Sequence, residues 1–257
     1  MRFDVITLFP ELFEPFLKAG VTRRAYETRQ VDVRLWNPRD FAEGNYRRVD
    51  DRPFGGGPGM VMLAEPLAQC LQTIRIDRAE AQSAPLVLFS PLGQALNHAA
   101  VQDWSEGPGA ILLCGRYEGV DQRFIDQHVT VQLSLGDFVL SGGEIAAMAL
   151  LDAVARLQPG VLNDEGSHQF DSFNPALDGL LDHPHYTRPE VWQGQAVPQA
   201  LLSGHHGRIE RWRREQSLLL SVRHRPDLIE KARKAGRLSP TDEAFLQGLR
   251  SENQMTK

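Results

Sequence analysis

The sequence predicts an α/β fold in which a parallel sheet is flanked by helices, followed by a small all-helical region at the C-terminal end. Residues 85–90 and 110–114 are continuously apolar, as is typical of strands buried on both faces of a parallel sheet. A glycine-containing loop and a stretch with helical periodicity follow each of them. Strands that alternate with helices indicate an α/β domain whose ligand binds beyond the carboxyl ends of the strands.

The remaining elements of the α/β region follow from shorter patterns. Apolar residues near the N-terminus predict a first strand, and Pro10 then opens a helix because proline suits the first helical turn. Alternation of apolar and polar residues predicts a half-buried second strand. In chain order, the predicted strands are 3–8, 31–36, 85–90, 110–114 and 129–133, and the predicted helices are 10–17, 21–29, 62–73, 97–104, 120–128 and 145–157.

Residues 134–144, with the sequence SLGDFVLSGGE, connect the last predicted strand to the long apolar helix. Glycines at such a junction indicate a backbone that adopts positive φ or approaches a ligand closely. Ser141 and Glu144 have the spacing of a capping box, which predicts the start of the helix. Free backbone N–H groups of this loop can then bind a ligand, and loops 90–93 and 115–119 are expected at the same sheet edge.

Composition and charge narrow the class of protein. The 257 residues are 42% apolar and 24% charged, as in globular domains, and no apolar run is long enough for a membrane span. The N-terminus lacks a signal-peptide pattern and two distant cysteines fit a reducing compartment, so a cytoplasmic protein is expected.

The net charge is −5, yet residues 205–237 hold ten Arg or Lys against four acids. This indicates either a phosphate-binding surface or a solvated helical face.

The composition changes after Arg156. Residues 158–194 are rich in Pro, Gly, Asn, Asp and His, as in a linker or lid, and helical periodicity resumes at Arg208. We therefore predict an α/β domain at 1–160, a flexible linker at 161–177 and a helical domain at 178–257.

The glycine-rich loop at 50–60 is not one of the common nucleotide-binding loops. The chain has no Gly-Lys dipeptide, so the lysine of a P-loop is missing, and Met60 stands where a dinucleotide fingerprint needs its third glycine. A P-loop nucleotide hydrolase is therefore excluded. Two aspartates, one arginine and four glycines still favour a functional loop over a plain connection.

Short motifs occur in order along nearly the whole chain. They are TLFP at 7–10, the loop 50–60, LFSP at 88–91, GRYEG at 115–119, the loop 134–144, DSF at 171–173, HYTRPE at 185–190, LSGHH at 202–206 and RWR at 211–213. Each motif is weak alone. Together, the set resembles the bacterial tRNA (guanine-N1)-methyltransferases, the TrmD family of the SPOUT methyltransferases.

The resemblance implies a fold that periodicity does not predict. On the elements alone the sheet would be drawn unknotted, since chains rarely thread their own loops, whereas SPOUT methyltransferases have a deep trefoil knot that binds S-adenosylmethionine. The family also implies a homodimer with its active site at the subunit interface. The implied substrate is tRNA, bound through its anticodon stem-loop. The implied reaction methylates N1 of the guanosine at position 37, immediately 3′ of the anticodon, which prevents frameshifting.

The resemblance implies two catalytic residues. Asp171 is implied to be the general base that removes the N1 proton, although an aspartate in such a sequence can simply cap a turn. Arg156 is implied to stabilise negative charge on guanine O6, although an arginine at a helix end also complements the helix dipole.

The resemblance also implies a cofactor site made largely of backbone. Its residues are Leu88, Phe89, Pro91, Gly115, Tyr117, Glu118, Ser134, Leu135, Gly136, Asp137, Phe138, Val139, Leu140, Gly142 and Gly143. In the alternative interpretation, Leu88, Phe89 and Leu140 belong only to the core. Glu118 is implied to contact either the methionine amino group or a magnesium ion, so Mg²⁺ stays open as a second cofactor and no metal site is assigned.

Two other functions fit parts of the pattern. Another SPOUT RNA methyltransferase would act on a ribose hydroxyl or a different base, and Asp171 argues against ribose. A non-catalytic RNA-binding protein would need neither Asp171 and Arg156 nor a complete cofactor loop, so their presence argues against that function.

Overall fold

The structure is a computed structural model that describes residues 1–79, 84–163 and 168–255. The chain forms two compact units, Met1–Asn163 and Asp164–Lys257. Part of the predicted linker, residues 164–167, lies outside the described residues. Within the described ranges, no helix is both long enough and apolar enough to cross a membrane.

The first unit is built on a five-stranded parallel sheet, as the apolar runs predict. Its strands are β1 (Arg2–Ile6), β2 (Asp32–Trp36), β5 (Leu86–Ala95), β6 (Gly109–Leu113) and β7 (Val131–Ser134), and a separate short ribbon pairs β3 (Asp50–Asp51) with β4 (Val61–Met62). The sheet order is β2-β1-β6-β5-β7. The register places Val5 of β1 beside Leu35 and Leu112, so the most apolar strands occupy the centre.

Six helices cover the two faces of this sheet. They are α1 (Phe13–Lys18), α2 (Arg23–Glu27), α3 (Ala64–Arg78), α4 (His98–Glu106), α5 (Gln122–His128) and α6 (Glu144–Arg156). Several elements differ from the sequence prediction. The β3–β4 ribbon is not among the predicted strands, and α3 continues to Arg78, five residues past its predicted end. Pro10 opens a 3₁₀ turn before α1, and β5 continues to Ala95 because Gln94 and Ala95 pair with β7 again after an irregularity.

Alternate residues of the central strands pack against opposite layers of helices. Phe3 and Val5 lie in a cluster with residues of α6, whereas Ile6, Ile111 and Leu113 lie in a second cluster with residues of α3 and α5. All five of these side chains are fully buried. Both cysteines are buried free thiols in these clusters. The two-layer packing leaves the carboxyl edge of the sheet as the place for a ligand.

The second unit is mainly helical. Its helices are α7 (Gln199–Leu202), α8 (His206–His224), α9 (Pro226–Lys234) and α10 (Pro240–Met255), and their core includes Leu180, Leu218, Leu228, Ile229, Ala232 and Leu246. The prediction of an all-helical region needs one correction, since β8 (Val191–Trp192) pairs with β9 (Gln195–Ala196) in an antiparallel ribbon. Gln193 and Gly194 between them both have positive φ, of 50° and 80°, which is the backbone of a tight two-residue hairpin turn.

Candidate active site

A cleft of about 390 Å³ lies at the carboxyl ends of β5, β6 and β7. Its volume falls in the range of small-molecule sites in proteins. Three segments line it, and the sequence predicts all of them at this edge. Residues 90–93 form the irregularity within β5, where Ser90 and Pro91 line the cleft, and the loops 115–119 and 134–144 follow β6 and β7. The position follows from the parallel sheet, whose strands all direct their carboxyl ends the same way.

The structure brings together fourteen of the fifteen residues predicted to bind a cofactor. Asp137 does not line the cleft and is exposed. Sequence reasoning missed other lining residues, namely Ser90, Arg116, Gly119, Val120, Gln122, Ile125, Leu133, Ser141 and Ala146. Most of these residues lie within or next to the predicted motifs, so their position in the sequence beside predicted site residues could have identified them.

The helix that follows the cleft begins without the predicted capping box. Gly143 is the N-cap of α6 and no side chain caps it, while Glu144 is the first helical residue. The carboxylate of Glu144 instead accepts a hydrogen bond from Thr7 Oγ1 at 3.0 Å and pairs with Arg116. The Ser-x-x-Glu spacing is present, but the Glu144 side chain has stronger partners elsewhere.

Gly142 and Gly143 allow the backbone of loop 134–143 to pass close to the backbone that follows β6. Neither has positive φ. The Gly143 N–H donates to the Gly115 carbonyl at 3.0 Å, and Gly142 forms a bridge with Arg116. A Cβ atom on Gly143 would lie 2.8 Å from the Cα atom of Cys114. The loop at 134–143 therefore passes directly against the end of β6.

We predict that Gly143→Ala destabilises the first unit, because backbone atoms would have to shift to admit the new methyl group. Overpacking of this kind costs about 1–3 kcal/mol, which urea unfolding would measure. Gly107→Ala is the matched control, since a Cβ there would meet its nearest neighbour at 3.5 Å, an ordinary contact. Equal unfolding midpoints for the two variants would contradict the proposed close packing.

An ion pair joins two of the three loops beneath the cleft. Arg116 Nε lies 2.9 Å from Glu144 Oε2, and Arg116 Nη1 donates to the Ser141 carbonyl at 3.2 Å. The guanidinium also lies 4.5 Å from the ring centre of Phe9. Glu144 is 1% exposed, so its charge depends on these partners rather than on water. The network therefore fixes loop 115–119 relative to loop 134–143.

The glycine-rich loop at 50–60 supports the cleft from outside. Glu118 N–H donates to the Met60 carbonyl and Met62 N–H donates to the Gly119 carbonyl, both at 2.9 Å. Burial and the nearby Asp50 carboxylate together raise the pKa of Tyr117, which keeps the phenol neutral. The sequence prediction of a functional loop is consistent with this position, since 50–60 contacts the GRYEG loop.

The cleft is suited to an apolar ligand with a positive or neutral polar end. Leu88, Phe89 and Leu140 provide apolar surface, and Glu118 provides a carboxylate. The arginine that lines the cleft, Arg116, is already paired with a buried carboxylate. A polyphosphate would need a lysine or an available arginine, which the described lining does not provide.

The two residues predicted for catalysis do not line this cleft. Arg156 ends α6, ten residues after Ala146, so it lies about 15 Å further along the helix axis from the cleft. Asp171 belongs to the second unit. It sits in a turn, where its N–H donates to the His168 carbonyl at 3.4 Å and its carbonyl accepts from Asn174 N–H at 3.2 Å.

Comparisons with known proteins agree on one family. The family model for tRNA (guanine-1)-methyltransferase TrmD matches residues 1–231. The chain is 77% identical to the tRNA (guanine-N(1)-)-methyltransferase of Paracidovorax citrulli over 248 residues, which cover 96% of this chain and 97% of that protein. It is 58% identical to the protein of the same name from Bordetella pertussis over 256 residues, covering 99% and 100%. The motifs, the parallel sheet and these matches show that the chain belongs to the tRNA (guanine-1)-methyltransferase TrmD family.

Proposed function

We propose that the chain transfers a methyl group from S-adenosylmethionine to N1 of guanosine 37 in tRNA. Membership of the family makes the chain a methyltransferase. The observation that carries the proposal is the convergence of fourteen predicted cofactor residues on one cleft. Another SPOUT reaction, on a ribose or a different base, is not favoured by relatives named for guanine N1.

The cleft residues fit S-adenosylmethionine by their chemistry. Leu88, Phe89 and Leu140 would pack on the adenosine, and backbone groups of the glycine loops would bind its polar edges. Glu118 would face the positively charged methionine end or hold Mg²⁺. When bound, S-adenosylmethionine supplies an electrophilic methyl group on a sulfonium that leaves as a neutral thioether.

Catalysis on the guanine requires removal of the N1 proton. Asp171 would accept that proton as general base, which frees the N1 electron pair to form the new bond to the methyl carbon. Arg156 would stabilise the negative charge that develops on O6 as the proton leaves. Asp171 would then keep the proton until solvent accepts it.

We further propose that two subunits build each active site. Arg156 lies about 15 Å along α6 from the cleft of its own chain, a distance too long for a group that acts at the methyl acceptor. Phe138, Val139 and Ile145, beside the cleft, are 56%, 88% and 54% exposed. Apolar exposure of this kind favours burial against a second copy, which would bring its own catalytic groups to this cleft.

The trefoil knot and the domain roles belong to the same proposal. Support for the knot comes from the loop 134–143, which passes against Gly115, and from β5, which meets β7 twice. The linker 161–177 would act as a lid that carries Asp171. The helical domain 178–257 would bind the anticodon stem-loop.

The exposed arginines of α8 support the tRNA-binding role. Arg208 and Arg213 are exposed, and arginine binds phosphate oxygens well. Arg214 belongs to the same basic stretch of the sequence, but its guanidinium forms ion pairs with Asp178 at 2.8 Å and with Asp242 at 2.9 Å. Phosphate binding is therefore expected to use exposed arginines of α8 such as Arg208 and Arg213 rather than Arg214.

One experiment tests the function directly. The protein is incubated with S-adenosylmethionine and with matched tRNAs that carry either G or A at position 37, and the nucleosides are then analysed. We expect N1-methylguanosine from the G37 tRNA and no product from the A37 tRNA. A methylated ribose, a product on another base, or no product with either tRNA would contradict the proposal.

A further inference from the structure

The second unit contains a cluster of metal-type donors outside the site described above. Asp182, His183 and His185 lie within four consecutive positions of a segment without regular secondary structure. His183 Nδ1 lies 2.6 Å from Asp182 Oδ1, and His185 Nε2 lies 2.8 Å from Asp182 Oδ2. One donor atom from each of the three residues lies within 4.8 Å of the other two. Two imidazole nitrogens and a carboxylate oxygen therefore converge on one small volume.

The backbone of this segment is held in place from both sides. Asp182 N–H donates to Ser172 Oγ at 2.9 Å, and Leu181 N–H donates to Ser221 Oγ of α8 at 3.0 Å. The Leu181 carbonyl accepts a hydrogen bond from the buried Ser217 hydroxyl. Ser221 is fully buried. The donors thus project from a fixed backbone, which lowers the ordering cost of binding an ion.

The side chains also have defined surroundings. The His183 ring meets the Trp212 ring edge-on at a centroid distance of 6.3 Å and the His185 ring at 4.6 Å. The His183 side chain is 13% exposed, whereas that of His185 is 72% exposed. His183 is therefore enclosed by neighbouring side chains, whereas His185 faces solvent, which gives an ion a path into the site.

We propose that Asp182, His183 and His185 bind a divalent transition-metal ion, with Zn²⁺ the best match. Two histidines and one carboxylate are a donor set that zinc takes, with a fourth position left for water. Magnesium and calcium prefer oxygen ligands alone. Zinc–ligand bonds near 2.0–2.2 Å in a tetrahedral site place donor atoms about 3.3 Å apart. The two imidazole nitrogens contact different oxygens of Asp182, at 2.6 and 2.8 Å, so each needs to move away by roughly 0.5–0.7 Å to admit the ion.

The ion would tie two parts of the second unit together. Asp182 already connects to Ser172 through its N–H, and Ser172 directly follows Asp171 in the chain. A bound ion would hold Asp182 and so strengthen this link between segments 171–173 and 182–185. The proposal concerns metal binding and does not depend on methyl transfer.

Zinc titration of the full-length protein tests the site. The protein is first treated with a chelator that is then removed, and ZnCl₂ binding is measured by calorimetry in parallel with Co²⁺ absorption in the visible range. We expect one tight equivalent of Zn²⁺ and the d–d bands of a tetrahedral Co²⁺ site. His185→Ala removes an exposed ligand and should lower zinc affinity at least about tenfold. Asp182→Asn keeps the shape of the side chain and should also weaken binding.

The control separates this site from general histidine binding. The chain has eight histidines, and His224, exposed at the end of α8, offers His224→Ala as a matched change. That variant should keep the tight equivalent and the cobalt spectrum. The proposal is wrong if wild-type protein binds no tight equivalent, or if His185→Ala and Asp182→Asn bind zinc as well as His224→Ala does. Circular dichroism checks that each variant is folded.

Discussion

Asp171→Asn is expected to reduce the rate of methyl transfer by about 10²- to 10⁴-fold, the usual contribution of a general base. Asparagine has nearly the same size but cannot accept the N1 proton at neutral pH. The turn around position 171 should persist, since its hydrogen bonds to His168 and Asn174 use backbone atoms. Single-turnover rates at saturating tRNA and S-adenosylmethionine measure the loss without a contribution from binding.

The control uses the same chemical change at a surface position away from the cleft. Asp103 of α4 is exposed and is not among the residues that line the cleft. Asp103→Asn should keep the wild-type rate and tRNA affinity. If Asp171→Asn turned over within a few-fold of wild type while binding tRNA normally, another group would have to remove the proton. If it lost tRNA affinity instead, Asp171 would be a binding residue.

The sheet could be predicted because its physical causes are local. Each central strand is a short apolar run between turn residues, and burial on both faces accounts for residues 110–114. The cleft loops could be placed because parallel strands end at one edge. The path of the chain through its own loops could not be predicted from local patterns, and only the family resemblance implies a knot.

Contacts between distant residues explain most of the differences. The capping box failed because Glu144 pairs with Arg116 and Thr7, which lie 28 and 137 positions away in the sequence. For a similar reason, the number of basic residues in 205–237 is larger than the number of cations that are available to bind phosphate. Arg214, Arg225 and Arg233 each form ion pairs with carboxylates of the second unit. A count of charges in a sequence contains no information about which of them are paired.

The Arg116–Glu144 pair is expected to give the second large effect. Arg116→Met should destabilise the first unit by about 3 kcal/mol, because it leaves the Glu144 carboxylate buried without its counter-ion. Glu144→Met should cost less, since the Arg116 side chain is 18% exposed and can turn toward water, whereas that of Glu144 is 1% exposed. Urea unfolding of the two variants and the wild type measures this asymmetry.

The double variant Arg116→Met/Glu144→Met separates charge burial from packing. Two apolar side chains of similar volume need no desolvation of charge, so the double variant should lose less stability than the sum of the single changes. Affinity for S-adenosylmethionine, measured by calorimetry, should still fall in all three variants because loops 115–119 and 134–143 lose their connection. If the stability losses of the two single variants were additive, the ion pair would contribute little to stability. If cofactor affinity were unchanged, the two loops would hold their positions through backbone contacts such as that between Gly143 and Gly115.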